Sequence, residues 1–60
     1  MMKNRIFKLD ISVGDYIDWF GSEALVEFID GNIYTLTVND QTVFADDVEV
    51  AAQNEWAILD

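Results

Sequence analysis

Apolar and polar residues alternate with a period of two along most of this chain, and this pattern predicts extended strands. Phe7, Leu9, Ile11 and Val13 alternate with polar neighbours. Aromatic and β-branched residues dominate segments 16–20 and 33–38, while segment 23–30 alternates between two faces. Segments 41–45 and 48–51 complete the pattern. We therefore expect five to six short antiparallel strands.

Turn residues separate these segments at regular intervals. The clearest hairpin signal is Asp30-Gly31-Asn32, because Gly and Asn tolerate the positive φ of tight turns. A single 3₁₀ turn is expected at 45–47. Segment 52–60 fits both helical and strand spacing, and we favour a short helical turn because its first residues lack strand formers. The other expected turns are Gly14-Asp15, Gly21-Ser22 and Asn39-Asp40.

No linker divides the 60 residues, so we expect one mainly all-β domain over 1–60, built as a small barrel with a short C-terminal helical turn. The chain has no Cys, so the core must hold the fold without a disulfide. The expected core is formed by apolar residues on the inner faces of the strands: Leu9, Ile11, Val13, Ile17, Ala24, Val26, Phe28, Tyr34, Leu36, Val38, Phe44 and Val48.

Two segments give the chain a generic resemblance to Src-homology-3-like (SH3-like) barrels over roughly residues 9–51. Val13-Gly14-Asp15-Tyr16-Ile17 resembles the Gly-Asp entry into an early strand. The stretch Thr42–Val50 resembles the 3₁₀ turn and final strand of such barrels. The resemblance implies a module that binds peptides, proteins or nucleic acids. The basic residues of the nucleic-acid-binding members are absent here, and a fold likeness assigns no function by itself.

The distribution of charge is one-sided. The chain carries twelve acidic and three basic residues, for a net charge of −9, and no cation follows Lys8. Ordinary surfaces intersperse the two signs. Such a surface repels nucleic acid and anionic membranes and attracts basic partners. In composition the chain resembles small acidic phage inhibitors that imitate nucleic acid.

Composition excludes several kinds of chemistry. Without His or Cys, neither a Ser–His nor a Cys–His arrangement can form, and no enzyme is expected. The three glycines are spread one per turn rather than forming a phosphate-binding loop. Asp46, Asp47 and Glu49 cluster, but the spacing of a calcium loop is missing, so we expect neither metal nor cofactor. No apolar run is long enough for a membrane span or signal peptide, which favours a cytoplasmic protein.

These observations predict a non-enzymatic module that binds a basic protein surface. Inhibition of a nucleic-acid-binding protein by charge mimicry is a narrower form of this prediction. The expected contact residues are the acidic turns and strands together with two Trp: Asp15, Asp18, Trp19, Glu23, Glu27, Asp46, Asp47, Glu49 and Trp56. The alternative is a structural module whose apolar edge or C-terminal tail pairs with another chain. Because copies of charge −9 repel each other, a monomer or hetero-complex is expected.

Overall fold

A computed structural model describes residues 8–59, which form two antiparallel sheets and one short helix. A four-stranded meander, in the order β2-β3-β4-β5, dominates the fold. The strands β1 and β6 pair as a separate two-stranded sheet. The elements are β1 (Lys8–Leu9), β2 (Tyr16–Trp19), β3 (Ser22–Asp30), β4 (Ile33–Val38), β5 (Gln41–Asp46), α1 (Asp47–Gln53), a 3₁₀ turn (Glu55–Ala57) and β6 (Ile58–Leu59).

Three tight hairpins connect the meander, and each has two loop residues. Phe20 and Gly21 both have positive φ, as do Asn39 and Asp40, which is the type I′ geometry that matches strand twist. In the Asp30–Ile33 hairpin only Gly31 has positive φ, which corresponds to a type II′ turn. The hairpins predicted at 30–32 and 39–40 are therefore confirmed. The first turn lies at Phe20-Gly21, one residue before the predicted position.

The core lies between the inner face of the four-stranded sheet and α1. Alternate residues of the central strands, such as Val26 and Leu36, are fully buried, and Val50 covers them from the helix. Burial of these apolar side chains is the main force that holds so small a domain together. Seven of the residues expected in the core are buried: Ile11, Ile17, Ala24, Val26, Tyr34, Leu36 and Val38. Leu9 packs against them while partly exposed.

A β-bulge at Glu27 reverses which face of the sheet the later residues of β3 occupy. Val26 pairs with Leu36, but Phe28 pairs with Thr35, so Glu27 is the extra residue. From Phe28 onward the alternation is shifted by one residue, and Phe28 points outward instead of into the core. The cross-strand row continues from Thr35 to Phe44, which is also exposed. The core assignments of Phe28 and Phe44 were therefore wrong, as were those of Val13 and Val48.

The segment after β5 is a helix, so the 3₁₀ turn expected at 45–47 and the strand expected at 48–51 were both wrong. Asp46 is the N-cap of α1 and forms a capping box with Glu49. The Asp46 Oδ1 accepts from the Glu49 N–H at 2.9 Å, and Glu49 Oε1 accepts from the Asp46 N–H at 3.1 Å. This reciprocal pair satisfies two backbone donors at the helix start, and it overrides the strand preference of Val48 and Val50.

Segment 52–60, for which helix and strand were both considered, contains some of each. It contains the end of α1, the 3₁₀ turn and then β6, so it is neither wholly helix nor wholly strand. Asn54 and Ala57 are buried, which makes this segment part of the core. The strand predicted from Phe7 to Val13 is reduced to Lys8–Leu9 among the described residues, and Phe7 itself lies outside them. Within residues 8–59 the two sheets do not close into a barrel.

Candidate binding face

One face of the four-stranded sheet is not covered by any element among residues 8–59, and we call it the open face. It carries the exposed aromatic side chains Tyr16, Phe28 and Phe44, together with the partly buried Leu25. The pairing registers place Tyr16 opposite Leu25 and join Phe28 and Phe44 through Thr35. Large exposed apolar side chains grouped on one face are typical of interaction surfaces.

Two carboxylates lie directly opposite each other on this face. Asp18 pairs with Glu23 one step from the β2–β3 hairpin, and both are exposed. Because the two-residue turn makes Trp19 and Ser22 the hydrogen-bonded closing pair, Asp18 and Glu23 form the next, non-hydrogen-bonded pair, in which side chains are closest. Like charges in this position are destabilising. Among the described residues, Lys8 is the one cation that could offset this repulsion.

A shallow cleft of about 260 Å³ adjoins this carboxylate pair. Tyr16, Asp18 and Glu23 line it from the sheet, and Trp56 lines it from the 3₁₀ turn. Both aromatic side chains are about two-thirds exposed, at 61% for Tyr16 and 65% for Trp56. Carboxylates next to accessible aromatic rings provide both charge and ring faces for a Lys or Arg side chain. Ile17, Gly21 and Ser22 complete the lining.

Asn54 positions Trp56 against the edge of β2. Its side chain is fully buried. Its Oδ1 accepts from the Asp18 N–H at 2.9 Å and its Nδ2 donates to the Asp18 carbonyl at 2.9 Å, so the amide makes the two backbone hydrogen bonds that a neighbouring strand would make. Nδ2 also donates to the Val50 carbonyl at 3.1 Å. Gln53 Oε1 accepts from the Phe20 N–H at 3.0 Å and extends the same seam. The edge of β2 is thus closed at Asp18 and Phe20.

The nine predicted contact residues therefore divide into groups. Asp18, Glu23 and Trp56 come together at the cleft. Glu27 lies on the open face, where its Oε2 accepts from the Thr37 hydroxyl at 2.9 Å. The remaining five are separate from this site: Asp15, Trp19, Asp46, Asp47 and Glu49.

Each of these five has a local role. Asp15 accepts from the Ser12 N–H at 2.8 Å and braces the turn before β2. Asp46 and Glu49 form the capping box of α1. Trp19 is half-buried against the core, with its ring edge-on to Phe20 at a centroid distance of 4.9 Å. Asp47 is buried.

Sequence reasoning missed the aromatic residues of the open face. Tyr16 and Trp19 point to opposite sides of β2, and the exposed one is Tyr16. Phe28 was assigned to the core because the bulge at Glu27 is not visible in the alternation pattern. Phe44 was assigned there because aromatic residues carry most of the buried area in a small domain, but Val43 and Ala45 are the residues of β5 that face the core. Phe20 has a φ of 50° and is 72% exposed at the hairpin tip, a position that Asn or Gly normally occupies. Sequence patterns offered no signal of this exposure, because they predicted the turn one residue later, at Gly21-Ser22.

Tyr34 and Asp47 are both buried residues outside the open face. Burial, followed by the negative charge of Asp47, raises the pKa of Tyr34 above its usual value of 10.0. The folded chain therefore keeps this proton at pH values where the unfolded chain has lost it. The resulting stability is fully present below about pH 10 and is lost as the pH rises through the higher folded-state pKa.

We expect the free energy of unfolding, measured by urea titration, to fall as the pH rises above about 10. Tyr34→Phe should remove most of this alkaline loss, because it removes the titrating hydroxyl. Asp47→Asn should reduce the loss only in part, since burial is the larger cause of the raised pKa. An alkaline loss that is identical in Tyr34→Phe and the parent chain would contradict this account.

Within residues 8–59 no group of three His, Cys, Asp or Glu side chains is arranged to hold a metal ion. The same part of the chain contains no helix that is long and apolar enough to cross a membrane. Comparison of the chain with family models, with curated proteins and with solved structures found no match, so the open face and its cleft are the starting point for assigning a function.

Proposed function

We propose that this protein is a non-enzymatic binding module whose open face engages a basic surface of a partner protein. The observation that carries the proposal is the cleft, where two directly opposed carboxylates lie beside two exposed aromatic rings. A Lys or Arg side chain of the partner enters between Tyr16 and Trp56 and neutralises Asp18 and Glu23. Phe28 and Phe44 provide the apolar contact area from which such interfaces gain affinity.

The charge of the whole chain assists association. A net charge of −9 attracts a basic partner over a distance of about one Debye length, roughly 10 Å at 0.1 M salt. Specificity comes from the cleft, because carboxylates and aromatic rings converge there. The same charge disfavours direct contact with nucleic acid or an anionic membrane. The closed SH3-like barrel is not required for this function, and it stays a prediction.

Charge mimicry of nucleic acid is a narrower form of the proposal. One of the two carboxylate rows suggested by the sequence, Asp47 with Glu49, lies on α1 rather than on a strand, and Asp47 is buried. The other row, Glu23 with Glu27, is on the open face, with Leu25 between them. Inhibition of a nucleic-acid-binding protein therefore depends on the open face. Competition between nucleic acid and this chain for a shared partner would distinguish mimicry from other acidic binding.

A structural role is the second candidate, and one observation favours it. Val48, Ala52 and Ile58 line an apolar groove of about 360 Å³ along α1, next to the exposed Leu59. Another chain could cover this groove. Deleting residues 52–60 would not separate binding from folding, however, because Asn54 and Ala57 are buried in the core. A partner that shifts NMR signals of Val48 and Ile58, and none on the open face, would favour this role.

The test of the main proposal is a titration of the full chain with a flexible peptide that repeats Arg-Gly-Ser. Citrulline in place of Arg provides an uncharged control peptide of the same shape. We expect the Arg peptide to shift the NMR signals of the Trp56 indole and of Tyr16, with an affinity that falls at least tenfold between about 50 mM and 500 mM NaCl. The citrulline peptide should have no effect. Signals that move evenly around the molecule would show non-specific attraction and would overturn the proposal.

A further inference from the structure

The two edges of the four-stranded sheet differ in whether other residues form hydrogen bonds to their backbone. The β2 edge is closed by the side chains of Asn54 and Gln53. The β5 edge has no such cover among residues 8–59: Gln41, Thr42 and Phe44 are exposed, and β5 pairs with β4 alone. An exposed strand edge presents backbone donors and acceptors to which another chain can add a strand.

The hydrogen-bond phase of β5 follows from its hairpin. The two-residue turn makes Val38 and Gln41 the hydrogen-bonded closing pair. Because hydrogen-bonded and non-hydrogen-bonded pairs alternate along an antiparallel ladder, Val43 and Ala45 also form hydrogen-bonded pairs with β4. The N–H and C=O groups of Thr42 and Phe44 therefore point away from β4. The capping box supports this phase, because the Asp46 N–H, two residues beyond Phe44, turns away from β4 to donate to Glu49. Thr42 and Phe44 make no backbone hydrogen bond to any residue of 8–59 outside the sheet ladder.

The composition of β5 suits strand addition. Proteins usually protect an open edge with Lys, Pro or a bulge. Residues 41–45 read Gln-Thr-Val-Phe-Ala, without charge or Pro, and pair with β4 in an unbroken register. Such an edge has no bulge against β4 and is rich in residues that favour strands. The free backbone groups specify an extended occupant rather than a helix.

Charge identifies the kind of occupant. Asp40 and Asp46 flank the open stretch, and six residues of strand separate their Cα atoms by about 20 Å. A second copy of this chain is disfavoured, because antiparallel pairing of two β5 edges about Val43 would set Asp40 of each copy opposite Asp46 of the other. An extended segment with cations at its two ends meets the opposite sign at both.

We infer that the β5 edge binds an extended basic segment of the partner by β-strand addition. The added strand hydrogen-bonds to the backbone of Thr42 and Phe44, and its end cations face Asp40 and Asp46. Its outward side chains lie beside Phe44 and continue the aromatic row of the open face. This inference rests on the proposed function, and it adds to the cleft a second contact that combines backbone hydrogen bonds with charge at the two ends of the strand.

Amide hydrogen exchange measured by NMR tests the inference on the full chain. The probe is a capped peptide of about seven residues, Arg-Thr-Val-Thr-Val-Thr-Arg, whose extended length matches the separation of Asp40 and Asp46. In the free protein we expect the amides of Thr42 and Phe44 to exchange much faster than those of Val43 and Ala45. Saturating peptide should slow exchange at Thr42 and Phe44 at least tenfold. Citrulline in place of both Arg residues should weaken the effect.

Three results would overturn the inference. One is the absence of slowing at Thr42 and Phe44 up to about 1 mM peptide, which corresponds to a binding free energy weaker than roughly −4 kcal/mol. Another is peptide binding that leaves both amides unprotected. The third is protection of both amides in the free protein, which would mean that residues 1–7 or a second copy already occupies the edge. Sedimentation would then identify which of these two it is.

A backbone variant removes the edge donor without changing any side chain. N-methylation of Phe44, introduced by chemical synthesis, should weaken peptide binding at least tenfold and leave the fold intact, because this amide has no acceptor within the described fold. N-methylation of Asn32, in the β3–β4 hairpin turn and outside β5, is the matched control and should leave binding unchanged. If synthesis impairs folding, Thr42→Pro removes the neighbouring outward donor, which an edge strand tolerates.

These results separate the inference from the proposed function. If the Arg-Gly-Ser peptide still shifts Trp56 but the extended peptide leaves Thr42 and Phe44 unprotected, the edge inference fails and the cleft stands. If the extended peptide protects β5 equally well when Asp18 and Glu23 are neutralised, while the flexible peptide never reaches Trp56, the edge stands and the proposed role of the cleft fails.

Discussion

Asn54→Ala is expected to destabilise the protein by about 3 kcal/mol. The fully buried amide makes three hydrogen bonds, two to the Asp18 backbone and one to the Val50 carbonyl. Removal leaves these groups without partners and opens a cavity, and each unsatisfied buried group costs about 1–3 kcal/mol. The total stability of a domain of this size is about 5 kcal/mol, so about 2 kcal/mol should remain and only a few per cent of the variant should be unfolded at 25 °C.

Urea unfolding followed by Trp fluorescence measures this loss. Gln53→Ala is the matched control, since it removes one exposed hydrogen bond from the same seam and should cost no more than about 1 kcal/mol. The edge of β2 and the placement of Trp56 both depend on Asn54, so any folded fraction of Asn54→Ala should also lose the cleft. A loss below 1 kcal/mol for Asn54→Ala would mean that solvent replaces the amide, which its burial argues against.

Neutralising the opposed carboxylates should have two effects of opposite sign. The double variant Asp18→Asn with Glu23→Gln removes a like-charge pair, so the free protein should gain about 0.5 kcal/mol, a few degrees in Tm. The same change should weaken binding of the Arg-Gly-Ser peptide at least tenfold, because the cation loses both partners in the cleft. Greater stability combined with weaker binding is expected of a site whose repulsion a ligand relieves.

The control for this variant is Asp10→Asn with Asp30→Asn, which removes the same total charge from two exposed positions outside the cleft. We expect a smaller gain in Tm and less than a threefold loss of peptide affinity. The gain of the cleft variant should shrink as NaCl rises, because salt screens the exposed pair. Equal Tm gains in the two double variants would assign the effect to net charge and not to the Asp18–Glu23 pair.

Local sequence signals predicted the central meander well. Strong turn residues, such as Gly31 and Asn39, fix where strands end, and alternation fixes which side of each strand faces the core. The helix was missed although its start was visible: Asp46-Asp47-Val48-Glu49 has the spacing of a capping box. The alternation of Val48 and Val50 was read as a strand, but two hydrogen bonds at the cap decide the local structure.

The bulge and the cleft were beyond reach of the sequence for different physical reasons. A bulge depends on cross-strand pairing, so the reversal between Val26 and Phe28 leaves no local trace. The cleft brings Asp18 and Trp56 together across the chain through the buried Asn54 side chain. A lone Asn between Gln and Glu gives no sign that it will replace a strand. The sequence analysis named Asp18, Glu23 and Trp56 as contact residues; the structure brings the three together at the cleft, and their role in binding stays a prediction.

The central claim is that the carboxylates facing the cleft, and not the net charge alone, recognise a basic side chain. The most direct measurement is the affinity of the Arg-Gly-Ser peptide for the two double variants at the same low salt concentration. The claim predicts that neutralising Asp18 and Glu23 lowers affinity at least tenfold, whereas neutralising Asp10 and Asp30 changes it less than threefold. Equal affinities for the two variants would contradict it.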